Sequence, residues 1–263
     1  MGDGLKGVWD GLRELGVETG CALVVHSSFK ALGKVEGGAG AVFEALQEAV
    51  GAKGTLVVPA FSYATVGPEN PRFDARTTPV CPGVGYLPEF FRTQVRGVVR
   101  SLHPTHSCCM KGPDAAWLAE GHETDATPVG PHSPLIKVPQ LNGWILFLGC
   151  SPDRHTSMHG VEETAEPPYL LKRDQKIRYE LTDVQGNVHE HWAIPHNFEM
   201  GGVHFEQKYS RVIDLLDEKD VRRGRVLNAD CVLLRAKAVW EKGRAALEKD
   251  PYYFVDRTAV PPC

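Results

Sequence analysis

No run of 18 apolar residues occurs in the 263-residue chain, which excludes a membrane-spanning helix of ordinary length. No Cys-x-x-Cys pair occurs among its seven cysteines, Cys21, Cys81, Cys108, Cys109, Cys150, Cys231 and Cys263. Their number is odd and Cys108 adjoins Cys109, a pattern that suits neither a metal knuckle nor a disulfide framework. The opening MGDGLKGVWDGLRELG lacks the apolar core of an export signal and lacks Ser or Thr at position 6 for myristoylation. The expectation is a cytoplasmic protein with reduced thiols. A strong charge of either sign is also missing. With 29 Lys and Arg against 33 Asp and Glu, the net charge of −4 argues against non-specific nucleic-acid binding and suits a cationic ligand. The dinucleotide pattern G-x-G-x-x-G, the P-loop pattern G-x-x-x-x-G-K-[ST] and the metalloprotease pattern H-E-x-x-H are all absent. So are internal repeats and low-complexity tracts.

The chain does have ample core-forming material, 42% apolar and 24% charged. Its length fits one domain, residues 1–263, with room for a subdomain at about 175–210. Residues 144–169 hold the densest chemistry. An apolar run, Ile145 to Leu148, reads as a buried strand, closed by Gly149 and a loop at Pro152 and Asp153. Thr156, His159 and Glu162 follow at intervals of three, which places them on one face of a helix. An imidazole can take a proton near neutral pH, and a carboxylate can fix its tautomer. A threonine hydroxyl can meet an oxyanion. An ordinary surface helix carrying a His–Glu pair fits the same spacing. So does a metallohydrolase using His155, His159 and Glu163, which stand at i, i+4 and i+8.

Earlier in the chain, helical spacing over residues 5–15 ends at Gly16. A short strand at 21–25, a glycine-rich loop at 26–40, a helix at about 39–50 and a strand at 55–59 make a β-loop-α-β unit, and hence parallel strands. That loop is either a phosphate cradle at a helix N-terminus, aided by Ser27, Ser28 and Lys30, or a turn needing positive φ. Residues 60–88 are long and irregular, the mark of a functional or mobile segment, and carry Asp74 and Arg76. Arg100 to Ser107 gathers two histidines, three hydroxyls and an arginine after a strand edge at Val98-Val99. Helices are expected at 89–96, 113–124, 210–218 and 236–248, and a strand at 226–234. A hairpin is expected from 177–181 and 188–194, with His189 and His191 on one solvated strand face.

Six segments, VHSSFKALGKVEGGAGAVFEAL, GTLVVPAFSY, FDARTTP, RSLHPTHS, GPHSPL and LGCSPDRHTSMHGVEE, together resemble the aminoglycoside 3-N-acetyltransferase family. The likeness is strong from about residue 20 to about residue 170 and looser to about 255. It implies an α/β protein with a central, largely parallel or mixed sheet flanked by helices and a smaller β-containing subdomain, distinct from the GNAT fold. It also implies acetyl-CoA as cosubstrate with no metal, an aminoglycoside amine as acceptor, and no nucleic-acid or membrane partner, while leaving room for a homodimer. The resemblance makes His159 the general base, Glu162 its partner and Thr156 a neighbour of the thioester. It assigns His26, Ser27, Ser28, Lys30, Leu32, Gly33, Val35, Gly37 and Gly38, with Ser101, Thr105 and Ser107, to the coenzyme A channel. Asp74, Glu163 and Glu166 fall to the acceptor side. The alternatives are transfer to a different small-molecule amine, or an acetyl-cysteine intermediate on Cys108, Cys109 or Cys150. Met158 stands where the family pattern usually has Leu, a change that leaves the candidate base untouched.

Overall fold

The two central strands bury side chains of both parities, because helices cover both faces of their sheet. Leu23, Val25, Trp144, Leu146 and Leu148 enter one core, while Ala22, Val24, Ile145 and Phe147 enter the other. Such continuous apolar runs are what strands buried on both faces require. The computed structural model describes residues 2–259, so Cys263 lies outside the described residues.

In chain order the strands are β1 (Ala22–Ser27), β2 (Thr55–Pro59), β3 (Arg72–Asp74), β4 (Val99–Arg100), β5 (Cys108–Lys111) and β6 (Trp144–Leu148). They continue with β7 (Ile177–Thr182), β8 (Val188–Ala193), β9 (Glu199–Met200), β10 (Val203–Gln207), β11 (Val221–Val226), β12 (Ala229–Arg235) and β13 (Val255–Ala259). The helices are α1 (Asp3–Glu14), α2 (Gly38–Val50), α3 (Tyr86–Gln94), α4 (Ala115–Ala119), α5 (Pro134–Lys137), α6 (Met158–Ala165) and α7 (Ala236–Lys249). The main sheet runs β11-β12-β6-β1-β2-β5-β4. Its centre, β6-β1-β2, is parallel, and the strands outside it pair antiparallel. The sheet is therefore mixed, and it is flanked by helices as the sequence implies.

Two three-stranded sheets are built apart from it, β3-β7-β8 and β13-β10-β9. The expected hairpin at 177–194 is present, in register Tyr179 to His191. The region around 175–210 is nonetheless completed by distant chain, β3 and β13.

Several local expectations change. The strand expected at 226–234 is the second arm of a hairpin, β11-β12, turned at Leu227 with φ +52°. The helix expected at 113–124 stops at Ala119, and Gly121 in the left-handed region leads into a short 3₁₀ turn. Residues 210–218 form 3₁₀ turns rather than an α-helix. His191 is buried edge-on against His103 at 5.7 Å rather than solvated. That face of the hairpin packs on the body of the protein, so only His189 keeps a largely open setting.

Candidate active site

Three parallel strands deliver their carboxyl ends to one edge of the sheet, where open α/β proteins place ligands. β1 ends in His26-Ser27, β2 in Pro59, and β6 in Leu148. Register pairs Ser27 with Leu148, so the chain leaving β6 starts beside the chain leaving β1. Gly149 makes the exit turn at φ +70°, and a Cβ there would stand 2.5 Å from the Ala31 Cβ. Only glycine lets the two loops lie this close.

The loop after Gly149 feeds α6, which begins at Met158, so Thr156 sits just ahead of the helix and His159 in its first turn. α6 packs on α7 through small residues. A Cβ on Gly160 would meet Val129 at 2.8 Å and Trp240 at 3.1 Å, and one on Gly243 would meet Val161 at 2.9 Å. Glu162, one turn beyond His159, points into the protein and is fully buried.

Glu162 does not touch His159 in hydrogen-bonding geometry, since Oε2 lies 3.8 Å from Nδ1. Tyr209 connects them, with Oη 2.6 Å from Glu162 Oε2 and 2.9 Å from His159 Nδ1. Tyr169 donates to the other carboxylate oxygen at 2.6 Å. Each tyrosine carries one hydroxyl proton, and an ionised carboxylate only accepts. Tyr209 therefore donates to Glu162 and accepts from His159 Nδ1–H. In the neutral ring the lone pair is then left on Nε2. Burial, reinforced by the Glu162 charge, raises Tyr209 well above the usual phenol range, so its proton stays. Burial lowers His159 below the usual imidazole range, with Glu162 pulling the other way and His196 adding to the fall.

His159 opens onto a cavity of about 1390 Å³. That exceeds the usual range of a single-ligand site, about 300–1,000 Å³. One wall is the β1 exit, with His26, Ser27, Ser28, Lys30 and Gly33, faced by Gly83 to Tyr86 and by Arg154. The β7-β8 hairpin and its flanks also contribute to the lining, with Ile177, Tyr179, Lys172, Gln175, His196 and Phe198. Thr105, His103 and His106 line it as well. Thr156 also lines the cavity, and its hydroxyl finds no protein partner. Among the described lining residues Asp153 is the one carboxylate, against Lys30, Arg154 and Lys172. It is already engaged by the Ser210 amide and the Ser151 hydroxyl.

Other sequence candidates lie elsewhere. Leu32 is in the apolar core, with Val35 packed against it. Gly37 and Gly38 form the left-handed entry to α2, away from the cavity lining. Ser107 is buried, holding Arg100 and the Ala60 carbonyl, and Ser101 accepts from the Cys108 amide. Asp74 is clamped by Arg76 at 2.8 Å. Glu166 is exposed and pairs with Arg173 at 3.1 Å. Glu163 is buried between the Val129 amide and His196.

The set His155, His159 and Glu163 does not converge. His155 is buried against Phe147 and His26, and no group containing it or Glu163 meets metal-ligand distances among the described residues. Helical spacing fails here because His155 precedes the helix. The thiols are poor nucleophiles. Burial pushes Cys109 up to about 11 and Cys150 up to about 12, and raises Cys108 still further. Tyr169 and Tyr209, the contacts that orient Glu162, were not singled out in the sequence.

The site is thus a large cavity at the carboxyl edge of a mixed α/β sheet, with His159 in its lining backed by Tyr209 and the buried Glu162. A sequence profile described as aminoglycoside 3-N-acetyltransferase matches residues 24–248. Aminoglycoside N(3)-acetyltransferase IV of Salmonella sp is 31% identical over 248 residues, covering 93% of this chain and 87% of its own. The crystal structure of aminoglycoside acetyltransferase AAC(3)-IVa, as a histidine-to-alanine mutant in complex with a gentamicin, superposes with TM-score 0.76 at 28% identity. It covers 95% of this chain and 90% of that one. AAC-IIIb, as a binary complex with CoASH, gives TM-score 0.77 at 26% identity over 93% and 96% of the two chains. The chain belongs to the aminoglycoside 3-N-acetyltransferase family, whose fold is not that of GNAT enzymes.

Proposed function

We propose that the protein transfers the acetyl group of acetyl-CoA to the 3-amino group of an aminoglycoside, with His159 as general base. Relatives that bind coenzyme A and gentamicin support both ligands. The observation that carries the role of His159 is the hydrogen-bond chain from Nδ1 through Tyr209 to Glu162, which leaves Nε2 free at the cavity wall.

Coenzyme A lies along the β1 exit, where Ser27, Ser28 and Lys30 supply donors and positive charge. The acceptor enters from the hairpin side. Nε2 takes a proton from the amine as its nitrogen bonds to the thioester carbon. Thr156, with its unpartnered hydroxyl, meets the oxyanion. The carbon–sulfur bond then breaks, and the imidazolium returns its proton to the coenzyme A sulfur. While charged, the imidazolium is steadied by the Glu162 carboxylate 3.8 Å away.

A second reading has a specific observation behind it. A polycationic acceptor is best met by several carboxylates, and among the described residues the cavity lining offers Asp153 alone. That favours the same transfer to a small-molecule amine of lower charge. The experiment is release of free thiol from acetyl-CoA with a panel of aminoglycosides, some with the 3-amino group blocked, alongside singly charged amines. Release that requires a free 3-amine supports the first reading. Release with low-charge amines alone replaces it by the second. No release and no coenzyme A binding would sink both.

A further inference from the structure

We infer that His106, His159 and His196 form a site for a late first-row divalent cation, zinc foremost. The three rings come from separate parts of the chain, after β4, in α6 and after β8. Each offers a nitrogen, and these three atoms lie within 4.8 Å of one another. All three residues line the cavity, so a cation held there would keep an open coordination position.

The hydrogen bonds set this group apart from a mere stack of aromatic rings. Metal-binding imidazoles usually have their far nitrogen tied to a polar partner, which fixes ring and tautomer. Here every ring has such a tie. His106 Nδ1 is 2.9 Å from the Thr105 hydroxyl, and His159 Nδ1 is 2.9 Å from Tyr209. His196 Nε2 is 2.6 Å from the Glu163 carboxylate. What remains is Nε2 of His106, Nε2 of His159 and Nδ1 of His196. Zinc–nitrogen bonds of about 2.0–2.1 Å in a tetrahedron put ligand atoms roughly 3.4 Å apart. The three ligand atoms lie within 4.8 Å of one another, so that spacing asks for a contraction of at most about 1.4 Å. Burial also keeps His106 and His159 in the neutral, ligating form. Glu163 and, through Tyr209, Glu162 supply negative charge behind the rings.

A cation bound here takes the Nε2 lone pair of His159. Metal occupancy and proton abstraction by that nitrogen are therefore mutually exclusive. The site is a matter of coordination and stands or falls apart from acetyl transfer.

The test is equilibrium dialysis of the metal-free chain against zinc chloride, with cobalt as a spectroscopic probe. One zinc per chain is expected, with a tetrahedral-type cobalt spectrum. His106→Gln and His196→Gln should each weaken zinc binding more than about tenfold, and Glu163→Gln roughly tenfold. His204→Gln, beside Glu199 on β10, should leave it unchanged. If a variant fails to fold, imidazole-nitrogen NMR of the unaltered protein replaces it, and zinc should shift the rings of residues 106, 159 and 196 together. Absence of zinc binding below millimolar concentration would overturn the proposal. Binding that survives both histidine substitutions, or that shifts other rings instead, would overturn it as well.

Discussion

Tyr209 decides what His159 can do, because its one proton is committed to Glu162 and its oxygen is left to accept from Nδ1. Tyr209→Phe keeps the ring and removes both bonds. A lost hydrogen bond to a charged partner costs about 1.5–3 kcal/mol, so kcat/KM should fall by roughly 10- to 150-fold while coenzyme A affinity holds. Equal kinetics in the variant would show that the relay is ornamental. The pH profile offers a second check. With its pKa lowered by burial, His159 reaches its basic form at lower pH than a free imidazole. The acid limb of kcat/KM should have its midpoint below about 6.5, and a midpoint above that value would contradict the assignment. At this scale the sequence was informative about residues close together along the chain. Thr156, His159 and Glu162 declare themselves by spacing, but Tyr209 lies 47 positions beyond Glu162 and carries no local signature. The spacing also implied a direct His–Glu contact, which the inward turn of Glu162 replaces with a bridged one.

α6 holds its place because glycine lets it approach its neighbours. Gly160 faces Val129, Ile136 and Trp240, and Gly243 on α7 faces Val161. Gly160→Val would force these side chains apart at a cost of about 1–3 kcal/mol. Thermal unfolding should shift down, and acetyl transfer should fall further than stability alone explains, since His159 moves with the helix. An unchanged melting temperature would show that α6 has room to spare. Strands buried on both faces, β1, β2 and β6, were legible because packing on two sides leaves long apolar runs. The strands β9, β10 and β13 were not. β9 is two exposed residues beside β10, and β10 is completed only by β13 from far along the chain, so no local alternation marks them. The β11-β12 turn at Leu227 lacks the glycine that would have announced it.

Across the whole molecule, buried neutral imidazoles accumulate around the cavity. Burial holds His26 and His122 down to about 3, and keeps His103, His106 and His155 well below the ordinary value. In the unfolded chain all of these titrate at about 6.5. Their folded pKa is depressed, so the folded state is disfavoured once the unfolded chain can take up protons. The contribution is complete above about pH 6.5 and is lost as pH falls, by up to about 1.4 kcal/mol per unit for each buried ring. Urea unfolding should therefore show a much lower midpoint at about pH 5.5 than at about pH 7.5. Equal midpoints would mean that these rings are not held neutral. None of this was visible in the composition, where eleven histidines look ordinary until the fold places five of them, His26, His103, His106, His159 and His196, in the lining of one cavity.

The most direct test joins chemistry to binding in one variant. His159→Gln keeps a side chain of similar reach and removes the basic lone pair. Thiol release from acetyl-CoA, measured with the amine that the unaltered protein uses best, should fall by roughly 100- to 10,000-fold. Coenzyme A binding, measured on the same preparation by calorimetry, should be unchanged within about threefold. Near-normal thiol release by that variant would contradict the role of His159 and leave the Tyr209–Glu162 array without its chemical purpose.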